Sequence, residues 1–575
     1  MMFVLLLLSV VYTFNLFPVT EQFSLNETLQ SATRSQRDIS RPIPIDQISA
    51  AGLSLTALFE DVGYSLEALK DLTDLLNAGV RILMMDLYWN EFSFKWQLCP
   101  SPFPTNMTYN INEINNFNWN GKVYNCQPSL TTENIMSIIS NYLQQTNTNV
   151  EASFLHILLN LKSINYQNNQ TDIRQIYTNP TTDAIGNSTL NDTVASINSY
   201  IFTPQVLDAY KIELDSTHEF RSFYNQSDLI MPSLQTVLLN EYKRLLVNVI
   251  SNDLTTSPNS YNISQQDEDI IFFNNTLFTS IRSTWNQVST ECENLLNAYD
   301  SNGVDVSLFN NISLSTHFRY IIDNNENPFT YTNLQRYIRC GLSPIFNASE
   351  YKVNNSPHLN ATEIFESFIP YAFWSWSPGQ PLPPNNDTSS NHTFENNRED
   401  TNIAYKCGLL TDDGWKVGNC YQRYQIVCQN ETSPHEWDIP KDVKKNYFDI
   451  DKDDDCPDGY KFSIPRSNVE MLSLINTIKS QNIEYPVWID INDITVTDCF
   501  VTGGPYAQCP YQKTVTTKKF VRMIAPSSVV VVVLLILVVM EKTLRTNPIQ
   551  SNRKRYWKKA LNDYYKQNDY EGVPS

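Results

Sequence analysis

Asp86 closes the apolar run of NAGVRILMMDLYW, residues Asn77 to Trp89. A small-residue turn, Asn77-Ala78-Gly79, feeds a stretch of Ile, Leu and Met, and the acid follows at once. A barrel strand can deliver a carboxylate to an active-site mouth in this way, where it serves as a base or holds a cation. Glu91 lies just past the run, and Glu60 and Asp61 lie upstream in SAAGLSLTALFEDVGY. A charge pair in a loop is ordinarily just solvated. Histidine is scarce: the chain of 575 residues has six, and the first, His156, sits inside the apolar run SFLHILLNL. A lone histidine there reads as a satisfied core residue. The acid cluster DIDKDDDC (Asp449, Asp451, Asp453, Asp454, Asp455) lacks the glycine and distal glutamate of a calcium-binding helix-loop-helix, and reads as a solvated loop. Neither a metal nor a cofactor is expected.

The elements that would position these residues follow from periodicity. SLEALKDLTDLLNAG has a helical repeat (Leu66, Leu69, Leu72, Leu75, Leu76) with Gly79 as its stop. VRILMMDLYW reads as a buried strand, TENIMSIISNYLQQT as an amphipathic helix, and VEASFLHILLNLKSI as another buried strand. PSLQTVLLNEYKRLLVNVI reads as one helix. TNLQRYIRCGLSPIF reads as a last helix, a stop at Gly341 and a terminal strand. Helix and strand in alternation predict an α/β unit with a parallel sheet over residues 46–345.

Composition bounds the function. A net charge of −20 argues against direct binding to nucleic acid. The first 22 residues, opening MMFVLLLLSVVYTFNLF, read as a secretory signal without the usual basic start, and residues 23–45 as an extended polar linker. Met523 to Met540 is 18 residues without a charge; as a helix it would span roughly 27 Å, close to a hydrocarbon core. The tail, 541–575, holds eight basic residues against four acids, a net +4, leaving 33 basic and 57 acidic residues before it. Positive charge stays on the cytosolic side. The expectation is a single-pass type I membrane protein, its bulk lumenal or extracellular.

All ten cysteines precede the apolar segment: Cys99, Cys126, Cys292, Cys340, Cys407, Cys420, Cys428, Cys456, Cys499 and Cys509. An even number there suits disulfides. Connectivity stays open, with Cys99–Cys126 and Cys420–Cys428 near enough in sequence to propose. Glycan acceptors of the form N-x-[ST] lie at Asn26, Asn106, Asn169, Asn187, Asn191, Asn225, Asn262, Asn274, Asn311, Asn347, Asn354, Asn360, Asn386, Asn391 and Asn430. A change of texture at Phe373 marks residues 370–510 as a separate, loop-rich, disulfide-stapled region.

Three resemblances attach to these motifs. LLNAGVRILMMDLYW resembles the phosphatidylinositol phospholipase C-like phosphodiesterase barrels, which implies a TIM-type barrel with Asp86 at its catalytic end. That family uses two histidines as general base and acid, and the loop that should carry one of them has none. Asp86 is therefore expected to be a relic that holds loop structure. WSWSPGQP, CGLLTDDGWKVGNCYQRYQIVC and CPDGYKF…VWIDIND resemble the C-type lectin-like domain with its closing half placed before its opening half. Its calcium ligands are not met, since Gln380-Pro381 is followed by Leu382 and Gly414-Trp415 by Lys416. The whole set, from NAGVR to the Val/Leu span and basic tail, resembles the fungal maintenance of telomere capping protein 6 family. The likeness implies a membrane glycoprotein with an indirect telomere link, an unknown lumenal or extracellular protein or glycan partner, and no established activity. The alternatives are a divergent phosphodiesterase using Asp86, Glu91, Glu60 and Asp61, and a glycan-binding ectodomain. The cluster NRKRYWKK (Asn552 to Lys559) reads as a topology determinant beside anionic headgroups.

Overall fold

Six parallel strands carry the first part of the chain: β1 (Gly52–Ser54), β2 (Ile82–Asn90), β3 (Leu155–Ile164), β4 (Leu245–Asp253), β5 (Tyr320–Ile322) and β6 (Ser343–Phe346). The computed structural model describes residues 27–104, 109–165, 188–212, 221–227, 231–273, 285–301, 303–348, 367–382, 405–451, 454–511 and 517–567. The strands lie in the order β5-β6-β1-β2-β3-β4. Among the described residues β4 and β5 do not pair, so the sheet is a partial barrel. At the β4 edge two isolated parallel bridges join Leu245 to Ile201 and Asn248 to Phe272.

Each face of this sheet buries its own core. Ile82, Met84, Leu158, Leu246, Ile250, Tyr320 and Ile345 cluster on one side. Leu83, Met85, Leu87, Ile157, Leu159, Leu161, Val247 and Val249 pack on the other with the surrounding helices. Parallel strands covered on both faces must be apolar at successive positions, hence the unbroken runs in the sequence. Gly52 is required at β1: a Cβ there would come within 2.8 Å of the Ile82 Cβ.

Helices α1 (Glu27–Ile39), α2 (Leu55–Val62), α3 (Leu72–Ala78), α4 (Thr132–Gln145) and α5 (Tyr331–Arg339) surround the sheet or its ends. Thr131 and Asn134 cap α4 reciprocally. Gly79 (φ 118°) and Gly341 (φ 78°) end α3 and α5 in the left-handed region, which glycine adopts without steric cost.

Three segments fold differently from what the sequence predicts. The segment before residue 45 is not extended, because α1 occupies Glu27–Ile39 and buries Ser31, Ala32, Ser35 and Ile39. Small residues at helical spacing form that face, and a search for large apolar side chains passes over them. PSLQTVLLNEYKRLLVNVI is not one helix. A single helical turn, Thr236–Asn240, breaks at Tyr242 (φ 55°), and LLVNVI continues as β4. Burial on both faces selects a strand there over helical periodicity. Glu60 and Asp61 lie in α2, not in a loop.

The cysteine-rich part packs against the barrel, and residues 1–509 form one compact unit. Its main sheet has the order β8-β7-β14-β9-β12. The strands are β7 (Tyr405–Thr411), β8 (Gly414–Asn419), β9 (Tyr424–Ile426), β12 (Lys444–Lys445) and β14 (Val487–Asn492). A smaller sheet orders β11 (Trp437–Asp438), β10 (Cys428–Asn430) and β13 (Tyr460–Phe462). Helix α6 (Asn468–Gln481) is buried on every side over its first eleven residues. It touches the barrel-side helices Val306–Ser315 and α5 as well as the β11 segment. Two of its buried amides donate to main chain: Asn468 to the Ile338 carbonyl at 2.6 Å and Asn476 to that of Leu295 at 2.9 Å.

All ten cysteines pair, as Cys99–Cys126, Cys292–Cys340, Cys407–Cys420, Cys428–Cys456 and Cys499–Cys509. The proposed Cys99–Cys126 bridge is present, and Cys420–Cys428 is not. Cys420 follows β8 in the hairpin with β7, beside Cys407, whereas Cys428 opens β10 and faces away to β13.

The second unit spans residues 510–575. Its described part is one helix, α7 (Thr517–Gln567). Within it, Ile524–Thr543 has a mean hydropathy of 2.6 and no buried residue, so one helix is long and apolar enough to cross a membrane. The expected signal, residues 1–22, lies outside the described residues.

Candidate functional site

Asp86 is the central residue of β2, on the face it shares with Ile82 and Met84 and just beyond the level at which β1 ends, rather than at the strand's carboxyl end as expected. β3 runs alongside in register, with Asn160 opposite Asp86 and Lys162 opposite Tyr88. The side chains converge. The Lys162 ammonium lies 2.6 Å from one carboxylate oxygen of Asp86, whose side chain is only 11% exposed. The Asn160 amide donates to the other oxygen at 2.9 Å. The Tyr88 hydroxyl reaches the carboxylate at 3.4 Å, and Lys162 also lies 5.6 Å from the Tyr88 ring centre. Burial, then the charge of Asp86, raises the Tyr88 pKa far above its ordinary value, so Tyr88 stays protonated. Asp86 thus ends in a cluster that pairs its charge with Lys162 and supplies it with three donors.

Glu91 is buried and serves the loop after β4. It accepts hydrogen bonds from the hydroxyls of Thr255 and, at 2.6 Å, Ser257. The Trp89 indole donates to the Asn259 carbonyl at 2.9 Å in the same loop. The structure therefore brings Asp86 and Glu91 to one end of the barrel. Glu60 and Asp61 lie on α2, and their side chains are outside the described set. Asn160 and Lys162 were missed in the sequence, although a signal was there: His156, Leu158, Asn160 and Lys162 share one face of an otherwise apolar strand.

His156 is at the other end of that face. Its ring bonds to the Asn248 side chain and, at 2.6 Å, to the Tyr320 hydroxyl. Burial pushes its pKa down to about 3. His317 and Asp46, which sequence reading passed over, form a buried pair at 2.6 Å. They are 271 residues apart, and no spacing could have linked them. His435, at the junction of the two parts, contacts Ser313 and Asn310, and burial followed by the nearby Arg319 charge lowers it to about 3.

These shifts predict acid sensitivity. His156 and His435 stay neutral in the fold and take up protons once unfolded, so stability present above pH 6.5 is lost as pH falls. Asp493 opposes them. Burial raises it to about 6, so it takes up a proton in the folded state first. Two histidines outweigh one carboxyl, and the protein should be about 2–3 kcal/mol less stable at pH 5 than at pH 7. His156→Gln with His435→Gln, followed by thermal unfolding against pH, should flatten that slope.

Among the described residues no group of three or more His, Cys, Asp or Glu is placed to hold a metal. Gln380, in the Gln-Pro-Leu that does not match a calcium triplet, is used structurally, its amide oxygen accepting from Val417 N–H at 3.2 Å. In the acidic loop Asp455 pairs with Lys445 at 2.5 Å and Asp449 accepts from Asn446. Asp453 lies outside the described residues. Of the fifteen glycan acceptors six are described: Asn191, Asn225, Asn262, Asn311, Asn347 and Asn430. None of the six is buried, and Asn262 and Asn311 are exposed. The other nine (Asn26, Asn106, Asn169, Asn187, Asn274, Asn354, Asn360, Asn386, Asn391) lie outside the described residues.

A crystal structure of a phosphatidylinositol-specific phospholipase C from Staphylococcus aureus aligns over 59% of this chain and 98% of its own, at 10% identity and a TM-score of 0.25. A likeness that loose carries no argument. The family model described as the MTC6 partial TIM-barrel domain matches residues 23–366. Proteins named maintenance of telomere capping protein 6 match along nearly the whole chain. The Candida tropicalis protein is 51% identical over 96% of this chain and 96% of its own. That of Debaryomyces hansenii is 42% identical over 96% and 95%, and that of Yarrowia lipolytica 24% over 96% and 92%. With an α/β partial barrel carrying Asp86 and these full-length relatives, the chain belongs to the maintenance of telomere capping protein 6 family.

Proposed function

We propose that this chain is a single-pass type I membrane glycoprotein whose large disulfide-bonded unit lies outside the cytosol and works by binding, not by catalysis. The observation that carries the reading is the state of Asp86. A carboxylate held at 2.6 Å by Lys162 and hydrogen-bonded to Asn160 is already engaged by its neighbours on the sheet, which supports a structural role for it. The topology is supported by the apolar helix Ile524–Thr543, the basic tail after it, and five disulfides with fifteen glycan acceptors before it. With the body across a membrane from chromatin, the telomere effect for which the relatives are named is indirect, and the partner is a protein or a glycan rather than nucleic acid. A C-type lectin-like origin of residues 370–510 is supported by the Cys407–Cys420 hairpin bridge and by α6 leading into the Trp488-containing strand.

An inward-facing acid on a barrel strand, Asp86, also supports a second reading, a divergent phosphodiesterase. The two separate by assay of the purified protein on phosphoinositol and glycerophosphodiester substrates, with and without divalent metal. No turnover is expected. Turnover that falls at least a hundredfold in Asp86→Ala would overturn the binding reading. Sidedness is checked in sealed microsomes: protease should remove only the tail, and an endoglycosidase should increase the electrophoretic mobility of the protein.

A further inference from the structure

A cavity of about 670 Å³ lies at the end of the barrel opposite Asp86, where the strands begin. Ala51, Arg81, Phe154, Phe318 and Ser343, each at or before the start of a strand, contribute to its wall, and α1 supplies the facing wall through Thr33, Arg34 and Arg37. This end of a barrel is ordinarily filled by packed side chains. A void of this size also exceeds what close-packed interiors leave empty.

Its chemistry is two-sided. The floor is apolar, formed by Ile45, Ile82, Phe154, Leu234 and Phe318. His156 is beside them, but it is uncharged and already engaged with Asn248 and Tyr320. The rim carries three guanidinium groups, Arg34, Arg37 and Arg81, against one carboxylate, Glu151. That is a local excess of positive charge in a chain of net −20.

Arg37 is committed: it pairs with Asp38 and donates to the carbonyls of Asn149, Val150 and Ala152. Arg34 is held by a main-chain carbonyl, and Arg81 by two main-chain carbonyls and by the Tyr142 ring, whose centre lies 5.9 Å from its guanidinium carbon. Arg34 donates to Asp498 at 2.5 Å, and Arg81 to Leu76 at 2.5 Å and Val80 at 2.9 Å. Neither has a carboxylate partner among the described residues. Carbonyls fix the two side chains without cancelling their charge, and each keeps N–H groups for an anion. Asp498 belongs to the loop next to the Cys499–Cys509 bridge.

We propose that this cavity binds a single-chain anionic amphiphile, with its carboxylate or phosphate at Arg34 and Arg81 and its hydrocarbon chain on the apolar floor. The volume lies within the roughly 300–1,000 Å³ of small-molecule pockets, enough for one long chain and too small for two. The inference does not rest on the sidedness or the non-enzymatic reading above, and either can fail without the other.

The test uses the full-length protein in microsomes of expressing cells. Photoreactive, alkyne-tagged palmitate, lysophosphatidate and the neutral palmityl alcohol are added separately, and the crosslinked peptides are mapped. At least one of the two anions should label peptides of the floor around Phe154 or Phe318, at least tenfold above the alcohol; which one does identifies the head group. Arg34→Gln with Arg81→Gln should cut labelling about tenfold, and Arg34→Lys with Arg81→Lys should retain most of it, with unchanged protease resistance showing that both variants fold. Equal labelling by alcohol and anions, or crosslinks confined to Ile524–Thr543, overturns the proposal.

Discussion

Replacing Trp488 with alanine should cost about 4 kcal/mol of stability, near the upper range for deletion of a buried aromatic ring. Trp488 is fully buried in β14, the strand between β7 and β9. Its ring packs edge-on against Tyr424 at 5.3 Å and Tyr447 at 5.4 Å, and its indole N–H donates to the Lys445 carbonyl at 2.9 Å. Truncation removes the ring from two aromatic contacts and leaves a buried carbonyl without its donor. Trp488→Phe keeps most of the ring volume and loses only the hydrogen bond, so it should cost about 1–2 kcal/mol. Thermal unfolding of the two variants checks the order. Equal shifts would mean that the hydrogen bond, not the ring, holds the sheet centre.

Asp323→Ala should cost a similar amount, about 3–5 kcal/mol, through a different mechanism. Asp323 is 1% exposed, just past the end of β5. One carboxylate oxygen accepts from Asn347 N–H at 2.5 Å and Ala348 N–H at 2.9 Å, and the other from Phe329 N–H at 3.0 Å. Alanine leaves three main-chain donors buried without an acceptor, and the exit of β6 loses its tie to β5. Asp323→Asn keeps one oxygen acceptor and turns an amide N–H₂ toward another donor, so it should recover about half the loss. Thermal unfolding reads the difference, and amide hydrogen exchange at Asn347 and Ala348 should accelerate in both variants. If Asn and Ala are equally harmful, the charge of Asp323 matters and not its acceptor geometry.

Both residues show where sequence reading ends. Trp488 was visible as part of VWIDIND, but its partners come from segments that carry no repeat linking them. Asp323 sat in an unremarkable IIDNN. Its three donors are loop amides, and which amides meet a carboxylate depends on the approach of two strands.

What the sequence settled by itself is what short-range chemistry controls. The alternation of helix and strand, the glycine stops at Gly79 and Gly341, the apolar helix, the even set of cysteines and the placement of Asp86 on a buried strand all follow from local periodicity and turn chemistry. What only the tertiary structure decided depends on contacts between distant segments. Lys162 neutralises Asp86 because β2 and β3 align in one register. Cys420 bonds Cys407 and not Cys428, because a hairpin brings the first pair together and the next strand carries Cys428 off. LLVNVI becomes a strand because both its faces are covered. The cavity under α1 exists because a helix of small and polar residues closes over the starts of five strands. Register, burial on both faces and the empty space between elements are properties of the assembled chain, and no window of neighbouring residues encodes them.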